Sequence, residues 1–254
     1  MERNHSAQPV NPACLAGERT NRDGKPISNA LLLATPDEEF ARIRPHLEFV
    51  HLQHHQILHE PGHRLEFAYF LDSGMISMVV TDRSGGTAEA GVLGNEGFCP
   101  LPMAAGLKRS PLRAVMQISG EGSRMKASSL ETLLEKCPAF EKMLTRYAAI
   151  HGMQVAQTAG CNRLHDLEQR LARWLLLTQD RVGSGLLRIT HDFLATMLGT
   201  DRPSVSLAAG ALQRKRTIEY THGAVRILNR KRLESFACEC YAVIQQFSGE
   251  LATS

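Results

Sequence analysis

Thr190-His-Asp-Phe-Leu-Ala-Thr-Met-Leu-Gly-Thr-Asp-Arg-Pro-Ser-Val-Ser206 is the stretch that decides how this chain folds. Thr190 can cap a helix that runs to Leu198, and Gly199 can end it, because glycine takes a positive φ without the penalty a Cβ brings. Asp201 can cap a second helix with Arg202, Pro203 and Ser204 in its first turn, where proline loses no needed N–H and already has a helical φ. Ala195, four residues before the glycine, lets the two helices cross closely, and Val205, six after it, is an apolar anchor. Together these are the parts of a helix-turn-helix.

Working outward, Leu186-Leu-Arg-Ile-Thr190 reads as a short strand. Thr217-Ile-Glu-Tyr-Thr221, His222-Gly223 and Ala224-Val-Arg-Ile-Leu228 read as a hairpin, which gives the helix pair a wing with His222 at its tip. Charge is concentrated in the same place. Residues 186–232 hold nine Lys and Arg against three Asp and Glu, whereas residues 1–185 balance to zero and residues 233–254 carry a net −3. Such a concentration is the electrostatic footprint of a nucleic-acid reader. In a recognition helix the first turn reaches base edges, so Arg202 can present a bidentate fork to guanine and Ser204 can bond a base or a phosphate. Thr190, Thr200, Pro203, Ser206 and His222 complete the expected DNA-binding surface. The competing reading is an ordinary helical hairpin whose basic residues solvate a surface.

Upstream, residues 128 to about 181 read as helical. Phe140, Leu144, Tyr147, His151, Gln154, Thr158 and Cys161 recur at alternating steps of four and three, a heptad stripe. Ala148, Gly152, Val155 and Ala159 form an adjacent stripe of mostly small side chains. The stripe either packs on its own domain or forms a parallel dimer contact, for which Phe140, Leu144, Tyr147, Ala148, His151, Gly152, Val155 and Ala159 are the candidate residues. Between Leu52 and Met125, short β-rich runs such as Ala68–Leu71 and Met75–Thr81 alternate with turn signals, predicting an antiparallel β-roll. A capping-type start at Thr35-Pro36-Asp37-Glu38 predicts a short helix to about Leu47. Residues 1–30 lack apolar periodicity and read as a flexible leader. The expected organisation is therefore α+β: the leader, a β-roll over 31–138, a dimerisation helix over 139–161, and a winged helix-turn-helix with a C-terminal helix over 162–254.

This order of parts resembles the Crp/Fnr family of bacterial transcription regulators over about residues 30–245. The residues that carry the resemblance are Glu60-Pro-Gly62, Ser73-Gly74, Gly94-Asn-Glu-Gly-Phe98, Arg170-Leu-Ala-Arg-Trp-Leu175 and Leu198-Gly-Thr-Asp-Arg-Pro-Ser-Val-Ser206. The resemblance implies a cytoplasmic homodimer that binds a palindromic site in double-stranded DNA, with RNA polymerase as a further partner. Thr190, Arg202, Ser204 and His222 fall at family DNA-contact positions. Leu207 and Pro203 depart from it, standing where members that read a second guanine have arginine and glutamate. The stretch that in cyclic-nucleotide binders supplies a ribose-binding glutamate reads Phe98-Cys-Pro-Leu-Pro102. Arg109 and Arg113 both compete for the phosphate-binding position. Cyclic AMP and cyclic GMP are therefore not expected as effectors, and no cofactor is expected. Only Cys14 lies in the leader, where the family's oxygen sensors hold an iron–sulfur cluster.

Other classes find less support. No G-x-S-x-G, P-loop, H-E-x-x-H or Rossmann glycine pattern organises a catalytic site, so the chain is not expected to be an enzyme. No apolar run approaches the ~18 residues of a membrane span. A ligand-sensing or scaffold module without DNA contact is the alternative function. His51, His54, His55, His59 and His63 crowd thirteen residues, but alternating strand faces would disperse them. Cys238-Glu-Cys240 lacks two of the ligands of a closed zinc site and is expected to pack under the C-terminal helix. No metal site is expected.

Overall fold

A computed structural model describes residues 18–249 except Ser84 and His222. Seven antiparallel strands form the N-terminal roll: β1 (Glu48–Leu52), β2 (Ile57–His59), β3 (Phe67–Leu71), β4 (Met75–Thr81), β5 (Thr87–Leu93), β6 (Arg113–Ile118) and β7 (Gly120–Lys126). They pair in two sheets, ordered β1-β7-β3 and β2-β6-β4-β5. The expected α+β architecture, with roll, long helix and C-terminal helical module in that order, is what the chain adopts.

The roll starts earlier than its sequence suggests. Residues 18–29, read as part of the leader, are packed: Ile27, Asn21 and Asn29 are fully buried. Arg19 donates to the carbonyls of Leu32 (2.7 Å) and Thr35 (2.6 Å) and pairs with Asp37. These bonds reach far along the chain, so no local periodicity announces them. The rest of the expected leader lies outside the described residues. Asn29 caps α1 (Ala30–Ala34), a helix too short to show a period, by accepting from the Leu32 N–H. The next helix, α2 (Asp37–Ile43), has Pro36 at its N-cap and no side-chain cap, so the expected Thr35 capping start is replaced by the Arg19–Asp37 pair.

Three helices follow: α3 (Ala127–Lys136), α4 (Pro138–Leu164) and α5 (Leu167–Val182). The first half of α4 closes the roll. Phe140, Leu144 and Tyr147 are buried in the same apolar core as Phe70, Phe98 and Met116, and the Phe98 and Tyr147 rings lie 6.1 Å apart. Gly97 explains itself here, since a Cβ at that position would lie 1.8 Å from Cζ of Tyr147. The glycine in Gly94-Asn-Glu-Gly-Phe98 is the seat of a tyrosine ring.

A second core joins α5 to the winged module of β8 (Leu186–Leu187), α6 (His191–Leu198), α7 (Arg202–Arg214), β9 (Ile218–Thr221), β10 (Ala224–Ile227) and α8 (Arg230–Glu234). Met75 and Val92 of the roll belong to this second core. That is why β4 is buried on both faces: Ile76 and Met78 point into the roll, and Met75 points at the C-terminal module. Across the seam, Trp174 Nε1 donates to Glu89 (2.8 Å), Ser77 Oγ to the other oxygen of Glu89 (2.6 Å), and Arg181 Nε to Glu96 (2.9 Å). The last helix, α9 (Cys240–Gly249), lies against α4 and α5. Among the described residues no helix is long and apolar enough to cross a membrane.

Candidate nucleic-acid interface

The helix pair forms as its caps dictate. Thr190 Oγ1 accepts from the Phe193 N–H (3.2 Å), and Gly199 closes α6 at φ +60°, its N–H on the carbonyls of Ala195 and Thr196. Asp201 accepts from the Ser204 N–H (2.8 Å) and from Ser204 Oγ (2.8 Å). The first of these bonds does most to hold its carboxyl below the ordinary range. Val205, Ala208, Ala209 and Leu212 bury one face of α7, and Ala195 and Leu198 of α6 lie in the same core. The opposite face of α7 is open, with Arg202, Pro203, Ser206 and Leu207 all exposed.

Arg202 is 64% exposed and sits 3.4 Å from Asp192 of α6, a contact that water and a nucleic acid can both displace. Ser206 Oγ donates to the Arg202 carbonyl (3.0 Å) and lies 2.9 Å from His191 Nδ1, whose ring stacks on Tyr220 at 3.8 Å. His191 thus buttresses the front of α7 from behind. Its pKa is lowered, first by burial and then by Arg202. Nothing in the sequence singled it out, because a histidine one residue after a helix cap carries no signal until Tyr220 is folded against it. Thr200 is half-buried in the turn, its N–H on the Ala195 carbonyl (2.9 Å).

The hairpin β9–β10 pairs in the register Tyr220↔Val225 and Glu219↔Arg226, and β8 adds a third strand through Leu187↔Val225. The strand expected over Leu186–Thr190 is only two residues long, since Ile189 turns into the core and Thr190 must leave the sheet to cap α6. A Cβ on Gly223 would lie 3.7 Å from Thr190 Cγ2, so the wing turn sits beside the start of α6. His222, expected at that tip, lies outside the described residues. Thr200, Arg202, Pro203 and Ser204 therefore come together on the turn and the first turn of α7 with Ser206 just beyond it, and Thr190 stands at the start of α6 beside the wing turn.

Four of the residues expected at a dimer contact are covered by the chain itself. Phe140, Leu144, Tyr147 and His151 are buried against the chain's own roll, with His151 Nε2 3.2 Å from the Val92 carbonyl. Ala148 and Val155 are half-buried, whereas Gly152 and Ala159 are exposed. Burial pushes the His151 pKa down to about 4, and Arg181 adds to it. The stripe is apolar because the roll needs a lid. The exposed face of α4 runs through Ala149, Gly152, Met153, Ala156 and Gly160.

At the arginines that the resemblance offered for a phosphate, Arg113 Nε is paired with Glu60 (2.8 Å), and the exposed Arg109 donates to the Gly62 carbonyl. The five clustered histidines do not converge on a metal-binding arrangement among the described residues. His51 pairs with Glu121, and the His54 and His55 rings lie against each other. The expectation for Cys238 and Cys240 is overturned in one respect: Cys161 of α4 and His165 at its C-cap meet them, so two cysteines become a four-residue group.

Residues 169–236 match a known domain family. The family model they match is described as the Crp-like helix-turn-helix domain. The matched span takes in α6, α7, the wing and α8, with most of α5. Over about three quarters of its length the chain has the fold of solved Crp/Fnr regulators. A Crp/Fnr-family protein from Eubacterium rectale is 18% identical, with a TM-score of 0.64 over 79% of this chain and 94% of that one. FixK2 from Bradyrhizobium japonicum is 15% identical, with a TM-score of 0.63 over 76% and 98%. The c-di-GMP-responsive global regulator CLP of Xanthomonas campestris is 15% identical, with a TM-score of 0.60 over 76% and 99%. No curated protein sequence matches the chain.

Proposed function

We propose that this chain is a sequence-specific transcription regulator of the Crp/Fnr type, which binds a palindromic operator as a homodimer in the cytoplasm and is not an enzyme. The observation that carries the reading is the open first turn of α7. Arg202 and Ser206 stand exposed with half-buried Ser204 between them, beside a wing, in the one strongly basic segment of the chain. Arg202 would read a guanine, Ser204 and Ser206 a base or a phosphate, and Thr190 with the wing turn the backbone. Leu207, 76% exposed, suits the methyl group of a thymine better than the guanine an arginine would choose.

Dimerisation would use the open face of α4, where Gly152, Met153, Ala156 and Ala159 leave room for a second helix. The roll then acts as a sensor or a structural domain. Cyclic AMP and cyclic GMP are not its effectors in this reading: Arg113 is held by Glu60, and Leu101 has no group that bonds a ribose hydroxyl. Binding to labelled random-sequence duplex tests the reading. Affinity should fall steeply as salt rises, the mark of several phosphates neutralised by Lys and Arg. Absence of binding even at low salt would leave the scaffold alternative.

A further inference from the structure

The strongest feature outside the DNA-facing surface is the side-chain group where α4 ends. Cys161 sits on the last turn of α4 and His165 at its C-cap four residues on, while Cys240 opens α9 and Cys238 stands two residues before it. Cys161 Sγ and Cys238 Sγ are 3.4 Å apart, Cys240 Sγ and His165 Nδ1 are 3.6 Å apart, and all four ligand atoms lie within 4.8 Å of one another. The three cysteines are 1%, 3% and 1% exposed and form a buried cluster apart from both apolar cores. Packing alone does not call for three thiols and an imidazole converging on one point.

We infer that Cys161, His165, Cys238 and Cys240 bind a single tetrahedral metal ion of the zinc class, which ties the end of α4 to α9.

The distances fit. Zinc–sulfur bonds of about 2.3 Å place tetrahedral thiolates roughly 3.8 Å apart, which is the scale of this group. A polynuclear iron–sulfur cluster sets several irons and sulfides between its ligands and needs them further apart. Surrounding groups are those a metal–thiolate centre requires. His165 turns Nδ1 toward the cysteines and Nε2 toward Glu239 Oε1 at 3.1 Å, the carboxylate–histidine arrangement that fixes ring orientation and tautomer. Gln157 Nε2 donates to Cys240 Sγ (3.1 Å). Three thiolates and a neutral imidazole around a divalent ion leave one net negative charge, and Arg173, 3% exposed and donating to Thr158 Oγ1 (3.3 Å) three residues before Cys161, supplies a buried guanidinium beside it. Binding releases the thiol protons still present, up to three per ion, with no change of oxidation state.

The site joins segments far apart in sequence, at the bend His165-Asp166 where α4 gives way to α5. Metal occupancy should therefore hold α9 on α4 and stiffen that bend. The test uses the full chain purified without chelator. Elemental analysis should give stoichiometric zinc, and the apo protein should take up cobalt(II) with the ligand-field and sulfur-to-metal charge-transfer bands of a tetrahedral thiolate site. Cys161→Ser should lose metal and those bands, whereas Cys137→Ser should keep both. If Cys161→Ser fails to fold, His165→Cys offers a second route: the cobalt charge-transfer band should intensify, not vanish. The inference is overturned if the wild type retains no metal and shows no cobalt bands. It is equally overturned by a Cys161–Cys238 disulfide under non-reducing conditions, or by iron with inorganic sulfide.

Discussion

The two halves of α4 have almost the same spacing of small and apolar residues, yet they do opposite things. From Pro138 to His151 one face is buried against the roll, with Phe140, Leu144, Tyr147, Ile150 and His151 nearly inaccessible. From Gly152 to Gly160 the open face is a row of small residues with Met153 at 44% exposure, and nothing lies within 4 Å of a Cβ added at Gly152. The contrast teaches that a heptad stripe reports that a helix is covered, not by what. Side-chain size separates the cases: aromatic rings at Phe140 and Tyr147 fill a cavity in the chain's own roll, and glycines and alanines leave space for another backbone.

Substitutions in the two halves should therefore fail differently. Gly152→Arg should leave the monomer folded but break the proposed dimer, and lose the ~10²- to 10⁴-fold gain that two linked readers would give on a palindrome. Sedimentation and gel shift together check this, and a variant that stays dimeric would move the interface elsewhere. Tyr147→Ala should instead destabilise the monomer by about 3–5 kcal/mol, because it opens a cavity above Gly97 between Phe98 and His151; denaturant unfolding reads this directly.

In the reader itself the expected effect is smaller and selective. Arg202→Ala should cost about 1–3 kcal/mol of discrimination between operator and unrelated duplex while preserving much of the non-specific affinity. Equal losses on both duplexes would make Arg202 a phosphate contact.

The seam between roll and reader should respond to pH. Burial raises the Glu89 pKa from 4.5 to about 7, against the hydrogen bonds from Ser77 and Trp174. A carboxyl whose folded pKa is raised favours the folded state when protonated, so its contribution is full below pH 4.5 and is lost as pH rises through about 7. Glu89→Gln copies the protonated form. It should flatten stability across that window and gain roughly 1–2 kcal/mol above it, because water reaching the partly exposed carboxyl screens the effect. Thermal unfolding across the range checks it, and an unchanged slope would remove Glu89 from the account.

What the sequence revealed follows from how local each signal is. The helix-turn-helix was legible because Thr190, Gly199 and Asp201 act on their own neighbours within a few residues. The β-roll was legible from strands punctuated by turns. Residues 18–29 were not, since Arg19 and Asn29 find their partners at Thr35, Leu71 and Gly97. Nor was the cysteine–histidine group: Cys161 and Cys238 are separated by 77 residues, and no spacing template joins them. The buttressing role of His191 depends in the same way on Tyr220.

Selection from random duplex DNA with the full chain tests the central claim most directly. A palindrome-reading dimer should enrich a two-fold-symmetric sequence whose half-sites are centred about one helical turn, ~34 Å, apart. Failure to enrich any sequence at low salt, or enrichment of a single half-site bound by a monomer, would contradict it.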